Sequence, residues 1–164
     1  MRRDERARLS PSNPFFAHAE ARLFLARRDG ELVGRIAAIL DRSHLTRWKD
    51  GAGFFGFFEA IEDEGVAGSL FEAVRGWLRA RDLRVMRGPF NPSTNDMCGL
   101  LTEGFDLAPR IMMPYNPPYY PRLFQGAGLR LIHELLTYEV EAPPVLPEAI
   151  QRVAETARRR GVRV

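Results

Sequence analysis

The sequence predicts an α/β domain, a mixed sheet in which an antiparallel meander is followed by a parallel crossover, flanked by helices. Three observations predict it. Two largely apolar runs are joined by Asp29-Gly30, a strong two-residue hairpin signal. A third run, Phe54 to Ile61, extends the pair to a meander. The apolar period then changes to helical over Val66, Leu70, Val74, Trp77 and Leu78, and the short run after it, Leu83 to Gly88, returns to the sheet as a parallel strand.

Taken in order, residues 1–14 are charged and then turn-rich (Ser10-Pro-Ser-Asn-Pro14), a lead-in outside the core. Glu20 to Arg28 is the first strand. Leu32 to Leu40 is the second, with Leu32, Gly34, Ile36, Ala38 and Leu40 on one face. Residues 41–50 read as a polar loop, and the helix that opens at Gly65 is expected to end near Asp82. From Pro89 to Tyr120 the pattern is irregular and rich in proline and asparagine, and structureless segments this long inside a domain are more often functional than not. A short helix (Tyr120 to Gln125), a Gly-Ala-Gly stop and a final strand (Leu131 to Val140) close a domain spanning 1–142. Residues 143–147 form a proline-rich linker. Residues 148–164 begin a second domain or a C-terminal helix, amphipathic from Glu148 to Arg160, and its abrupt end suggests a fragment of a longer chain.

With 164 residues, 45% hydrophobic and 27% charged, the composition is that of a soluble globular protein. No run approaches the roughly 18 apolar residues of a membrane span, and no signal-peptide pattern follows the basic N-terminus. Cys98, the single cysteine, excludes an internal disulfide, and the chain reads as cytoplasmic. The net charge is +3, but the arginines interleave with acids instead of forming a stripe. Neither nucleic acid nor membrane is expected as a partner.

The strand-to-helix junction carries the most informative string, Gly65-Val66-Ala67-Gly68-Ser69. A helix N-terminus presents unpaired N–H groups with a partial positive charge, and small residues let an anion approach them. The competing reading is a tight connection and nothing more. Asn91, Asn95, Asp96, Tyr115 and Asn116 either line a polar substrate pocket or satisfy the backbone of an irregular loop. Cys98 stands in no motif relation to His18, His44 or His133 and reads as a small buried hydrophobe. Those histidines lack metal-ligand spacing, and no metal is expected.

The order of elements, together with Asn13-Pro-Phe-Phe16, Gly34-Arg-Ile-Ala-Ala38, Gly53-Phe-Phe-Gly-Phe-Phe-Glu59, Gly88-Pro-Phe-Asn-Pro-Ser93 and Pro114-Tyr-Asn-Pro-Pro-Tyr-Tyr120, resembles the GNAT superfamily of acyl-CoA N-acyltransferases. Within it the chain looks closest to an uncharacterised bacterial GNAT-like group, over about residues 13–140. The resemblance implies that acetyl-CoA or another acyl-CoA binds by its pyrophosphate at Gly65, Val66, Ala67, Gly68 and Ser69. It also implies that a carboxylate near the end of the third strand acts as general base. Glu59 fills that place, where partial burial would raise its pKa to a useful range; the alternative is a strand-end residue facing water.

The chain departs from the superfamily pattern twice. Glu62 stands first in the pyrophosphate string, followed by Asp63 and Glu64. Phe124 stands where a tyrosine commonly serves as general acid, a role that Tyr119 or Tyr120 can take over unless the pair simply packs the loop down. Three readings follow. The first is direct acyl transfer to the amine of a small molecule or peptide. The second is a non-catalytic GNAT-like module that binds a small ligand, a second domain or a homodimer partner. The third is a purely structural half of a two-domain protein.

Overall fold

A computed structural model describes residues 3–141, 145 and 147–162. They fall into two compact units, divided after Arg130, which are described separately. The expected linker at 143–147 lies largely outside the described residues, as does the boundary at 142.

The first unit is α/β, built on a four-stranded mixed sheet in the order β1-β2-β3-β4. Strands β1 (Ala19–Arg28) and β2 (Glu31–Asp41) form the expected hairpin, with Asp29 and Gly30 both at positive φ as its turn demands. β3 (Ala52–Ala60) runs antiparallel to β2, and β4 (Val85–Arg87) lies parallel to β3 after the α3 crossover (Glu64–Arg79). α3 stops before the expected Asp82, which turns the chain at φ 60 toward β4.

β3 explains its own composition. It carries one extra residue against β2, because Arg35 faces Glu59 while Ala37 faces Gly56. Phe57, at φ 51, sits in this bulge. The slip places Phe54 and Phe57 in the apolar cluster on one face and Phe55 and Phe58 in the cluster on the other. A strictly alternating strand would have divided these four rings differently. Gly56 is required here: a Cβ on it would lie 1.6 Å from the Phe90 carbonyl oxygen.

One face of the sheet is covered by α3, through Val66, Leu70, Phe71, Val74 and Leu78, and by α4 (Tyr120–Gly126), through Tyr120, Leu123 and Phe124. Phe58 stacks on Phe71 at 5.2 Å and meets Phe124 edge-on. Leu9, which follows helix α1 (Arg3–Arg8), and Phe15 pack on the opposite face, so the lead-in contributes to the core where none was expected.

One further stretch differs from expectation. Residues 41–50 contain helix α2 (Arg42–Trp48), whose first turn is capped by Asp41 through the Ser43 and His44 N–H groups. Seven residues are too few to develop a readable apolar period. Between Pro89 and Tyr120 the only strands are the two-residue pair β5 (Phe90–Asn91) and β6 (Met97–Cys98).

In the second unit the expected strand Leu131–Val140 does not form. Residues 131–140 are exposed and have no strand pairing within the unit. A strand exists only where a neighbour takes its N–H and C=O groups, and apolar composition alone supplies none. Helix α5 (Glu148–Arg159) agrees with expectation to within one residue and buries no side chain.

Candidate functional site at the end of β3

The β3–β4 ladder lasts three residue pairs, Ala52–Val85 to Phe54–Arg87. The chain then leaves through Gly88, and Phe90 crosses over Gly56. Beyond the bulge, β3 lacks a strand on that side among the described residues, and side chains take its place. Asn91 Oδ1 accepts the Phe57 N–H at 2.6 Å. Tyr120 OH accepts the Ala60 N–H at 3.3 Å, and Tyr119 OH donates to the Ala60 carbonyl at 2.9 Å. The last residues of β3, the two tyrosines and the first turn of α3 therefore converge on one short stretch, Glu59 to Val66.

Glu59 reaches this stretch from the sheet face that carries Arg35. Its carboxylate is 62% exposed and lies 2.8 Å from Arg35 Nη2, so the partial burial expected for a general base is absent. The same Nη2 bonds Glu5 at 2.9 Å. Burial works against the Arg35 charge, but the hydrogen bonds to Glu59 and Glu5 outweigh it and raise the guanidinium pKa. Arg35 Nε is buried without a hydrogen-bond partner.

Tyr120 is buried, and desolvation pushes its pKa up to about 12, so its hydroxyl stays protonated across ordinary pH. Tyr119 is raised as well, first by burial and then by the charges of Glu62 and Glu59. Both hydroxyls already serve the Ala60 backbone. Phe124 is buried among Phe55, Phe58 and Phe71.

The junction Gly65–Ser69 forms the first turns of α3, with Val66 and Ala67 buried beneath it. Its amides are not open. Asp63 is the N-cap, and its Oδ1 accepts the Val66 N–H at 2.9 Å while Oδ2 pairs with Arg28 at 2.8 Å. The Val66 N–H, followed by Arg28, holds the Asp63 carboxyl below its usual pKa. Glu62 pairs with Arg122 at 3.0 Å. Two of the three acids, Glu62 and Asp63, are thus paired with arginines from distant parts of the chain. Ser69 Oγ donates to the Val66 carbonyl. A Cβ on Gly65 would meet Asp63 Oδ1 at 3.2 Å, whereas one on Gly68 would meet nothing within 4 Å.

The polar loop residues act mostly on backbone. Asn91 holds the bulge. Asn116 brackets Leu101, accepting its N–H at 2.7 Å and donating to its carbonyl at 3.2 Å, and Tyr115 OH donates to Phe105 O at 3.1 Å. Asn95 is exposed. Arg28, Arg35 and Arg122 escaped sequence reasoning, since nothing local marks an arginine whose carboxylate partner is 24 to 60 residues away.

Cys98 is half-buried and unbridged. His18 bonds Asp41 and His44 bonds Asp50, which Arg87 also grips at 2.6 Å. No cluster of potential metal ligands occurs among the described residues, and no helix among them is long and apolar enough to cross a membrane.

Comparison with known proteins finds two relatives but no matching family model and no matching solved structure. The chain is 41% identical over 144 residues to "Bacterial ceramide synthase" of Caulobacter vibrioides, a match covering 86% of this chain and 37% of that protein. It is 36% identical over 130 residues to "Protein YghO" of Escherichia coli, covering 79% of this chain and 33% of that protein. The chain therefore spans about a third of the length of the curated relatives it matches.

Proposed function

We propose that the chain is the GNAT-like part of a cytoplasmic N-acyltransferase that moves an acyl group from a coenzyme A thioester to an amine. The observation that carries this reading is the open end of β3. There a bulged strand, freed from its parallel neighbour, brings Glu59, Tyr119 and Tyr120 next to the N-terminus of a helix. Amide formation is also the chemistry implied by the name of one relative: a ceramide is an amide of a fatty acid with a long-chain amino alcohol. On that analogy the acceptor is an amine on a small amphiphile rather than on a peptide.

Transfer needs a proton removed from the ammonium, attack of the free amine on the thioester carbonyl carbon, and a proton for the departing thiolate. Glu59 takes the ammonium proton on release from Arg35. Tyr119, the less buried of the two tyrosines, protonates the thiolate as the C–S bond breaks and is restored by the second proton that the nitrogen loses when the amide forms. The coenzyme A diphosphate lies at the α3 N-terminus with Arg28 and Arg122, which exchange their carboxylate partners for phosphate oxygens. Asn91, Asn95, Tyr115 and Asn116 border the acceptor side.

A second reading, a non-catalytic binding module, is favoured by one observation: Asp63 already occupies the Val66 amide. Thermal-shift titration of the full-length protein with acetyl-CoA and a long-chain acyl-CoA separates the two. A ligand that binds only the folded protein raises its melting temperature by mass action. The transferase reading expects a rise, followed by loss of amide formation in Glu59→Gln with affinity retained. No rise at millimolar concentrations of either thioester overturns it. A rise without turnover on any long-chain amine leaves the binding module.

A further inference from the structure

β1 is the outermost strand of the sheet, and its ten residues leave their outer row of N–H and C=O groups without a ladder partner among the described residues. A bare edge of this length is a template for strand addition. Two features of the edge make it receptive. On the face away from α3 it displays Leu23 and Leu25, 53% and 59% exposed. On the α3 face a groove of about 620 Å³ runs beside it, lined by Phe24, Gly76 and Trp77 together with Glu20, Arg22 and Arg81, the last laid 3.7 Å over the Trp77 ring. A strand added to β1 would cover the leucines on one face and place side chains in this groove on the other.

We infer that β1 pairs antiparallel with β1 of a second copy of the chain, so that one sheet runs through both. The side-chain pattern selects the register. Directly opposed residues of an antiparallel pair share a face, so a two-fold axis passes through a residue opposed to itself. With the axis at Phe24, Leu23 faces the partner's Leu25 and Arg22 faces the partner's Ala26, while Glu20, which also holds Arg81 and Arg42 within its own chain, faces the partner's Arg28, which also holds Asp63, each contact occurring twice. Moving the axis to Leu25 sets Arg22 against the partner's Arg28 and Leu23 against the partner's Arg27. Moving it to Leu23 leaves Glu20 against the partner's Ala26 and Arg22 against the partner's Phe24. The Phe24-centred register alone among these matches apolar with apolar and acid with base.

Sedimentation equilibrium on the full-length protein tests this, with circular dichroism to confirm folding. The wild type is expected to be a dimer at micromolar concentration. Leu23→Lys/Leu25→Lys, at two exposed positions, sets like charges against each other and should weaken dimerisation by at least about tenfold. Leu23→Lys/Leu25→Glu sets opposite charges against each other in the Phe24-centred register, so it should dimerise and lose affinity as salt rises. A monomeric wild type, a Lys/Lys variant of undiminished affinity, or a monomeric Lys/Glu variant overturns the inference.

Discussion

Arg35 holds Glu59 and Glu5 through a single nitrogen, at 2.8 and 2.9 Å, and thereby ties the end of β3 to the segment that precedes β1. The two carboxylates differ in what they lose without it. Glu59 is 62% exposed and returns to water, whereas Glu5, 19% exposed, is left as a poorly solvated charge. Arg35→Gln is therefore expected to lower stability by about 1–2 kcal/mol, between the values of surface and buried pairs. Glu59→Gln should cost less than about 1 kcal/mol. Urea denaturation of both variants checks this, and the small cost at Glu59 makes it a clean probe of catalysis.

The tyrosine pair makes a second prediction. Tyr120→Phe leaves the Ala60 N–H without its acceptor in a buried position, which should cost about 1–3 kcal/mol. Tyr119→Phe removes a donor from the Ala60 carbonyl in a contact that is only part-buried, and the oxygen keeps a second lone pair, so the change should cost about 1 kcal/mol or less. In the proposed reaction the order reverses: Tyr119→Phe slows acyl transfer more than Tyr120→Phe. Melting curves and initial rates on the two variants would show opposite rankings.

Legibility in the sequence tracked distance along the chain. The β1–β2 hairpin was readable because Asp29-Gly30 and the flanking alternation are local. The crossover was readable because Val66 to Leu78 keeps a helical period over more than three turns. Helix α2 was not, since its evidence is a single capping aspartate and a left-handed Lys49 at φ 49. The strand expected at 131–140 shows the opposite failure, a correct local pattern with no neighbour in its unit. At the site, Glu59 and the tyrosines were identifiable as residue types, but their ties to Arg35 and Ala60 depend on contacts 24 to 60 residues apart, which no spacing rule reports. The exposure of Glu59 followed from the β3 bulge, and only the pairing register reveals that bulge.

Asp63 gives a pH dependence whose sign is fixed. Its folded-state pKa lies below its ordinary value, mainly through the Val66 N–H and Arg28. A depressed carboxyl contributes stability that is present above the unfolded-state pKa of about 4 and is lost as pH falls through the lower folded-state value. Asp63→Asn keeps a competent N-cap but removes the titration. Its melting temperature should be lower than wild type at pH 7, and the difference should shrink as the pH drops below 4. A constant difference across that range would mean that the charge of Asp63 contributes nothing.

Gly56 and Gly68 invert the functional suspicion that sequence places on them. Gly68 belongs to the phosphate-like string, yet a Cβ there meets nothing within 4 Å, and it sits within α3 at ordinary helical φ. Gly68→Ala should therefore stabilise the fold by up to about 1 kcal/mol, the usual helical gain over glycine. Gly56 belongs to an apparently structural Phe-Gly-Phe string, and a Cβ there would lie 1.6 Å from the Phe90 carbonyl oxygen, a backbone atom that cannot rotate away. Gly56→Ala should cost about 3 kcal/mol or more, by prising the 88–98 loop off β3 and with it the Asn91 bond to Phe57. Chemical denaturation ranks the two directly. The Gly68 variant then does a second job: if it is more stable than wild type but no longer stabilised by acyl-CoA, the open space over α3 is where the thioester's phosphates lie. If it responds as wild type does, Gly68 is not part of the proposed phosphate contact.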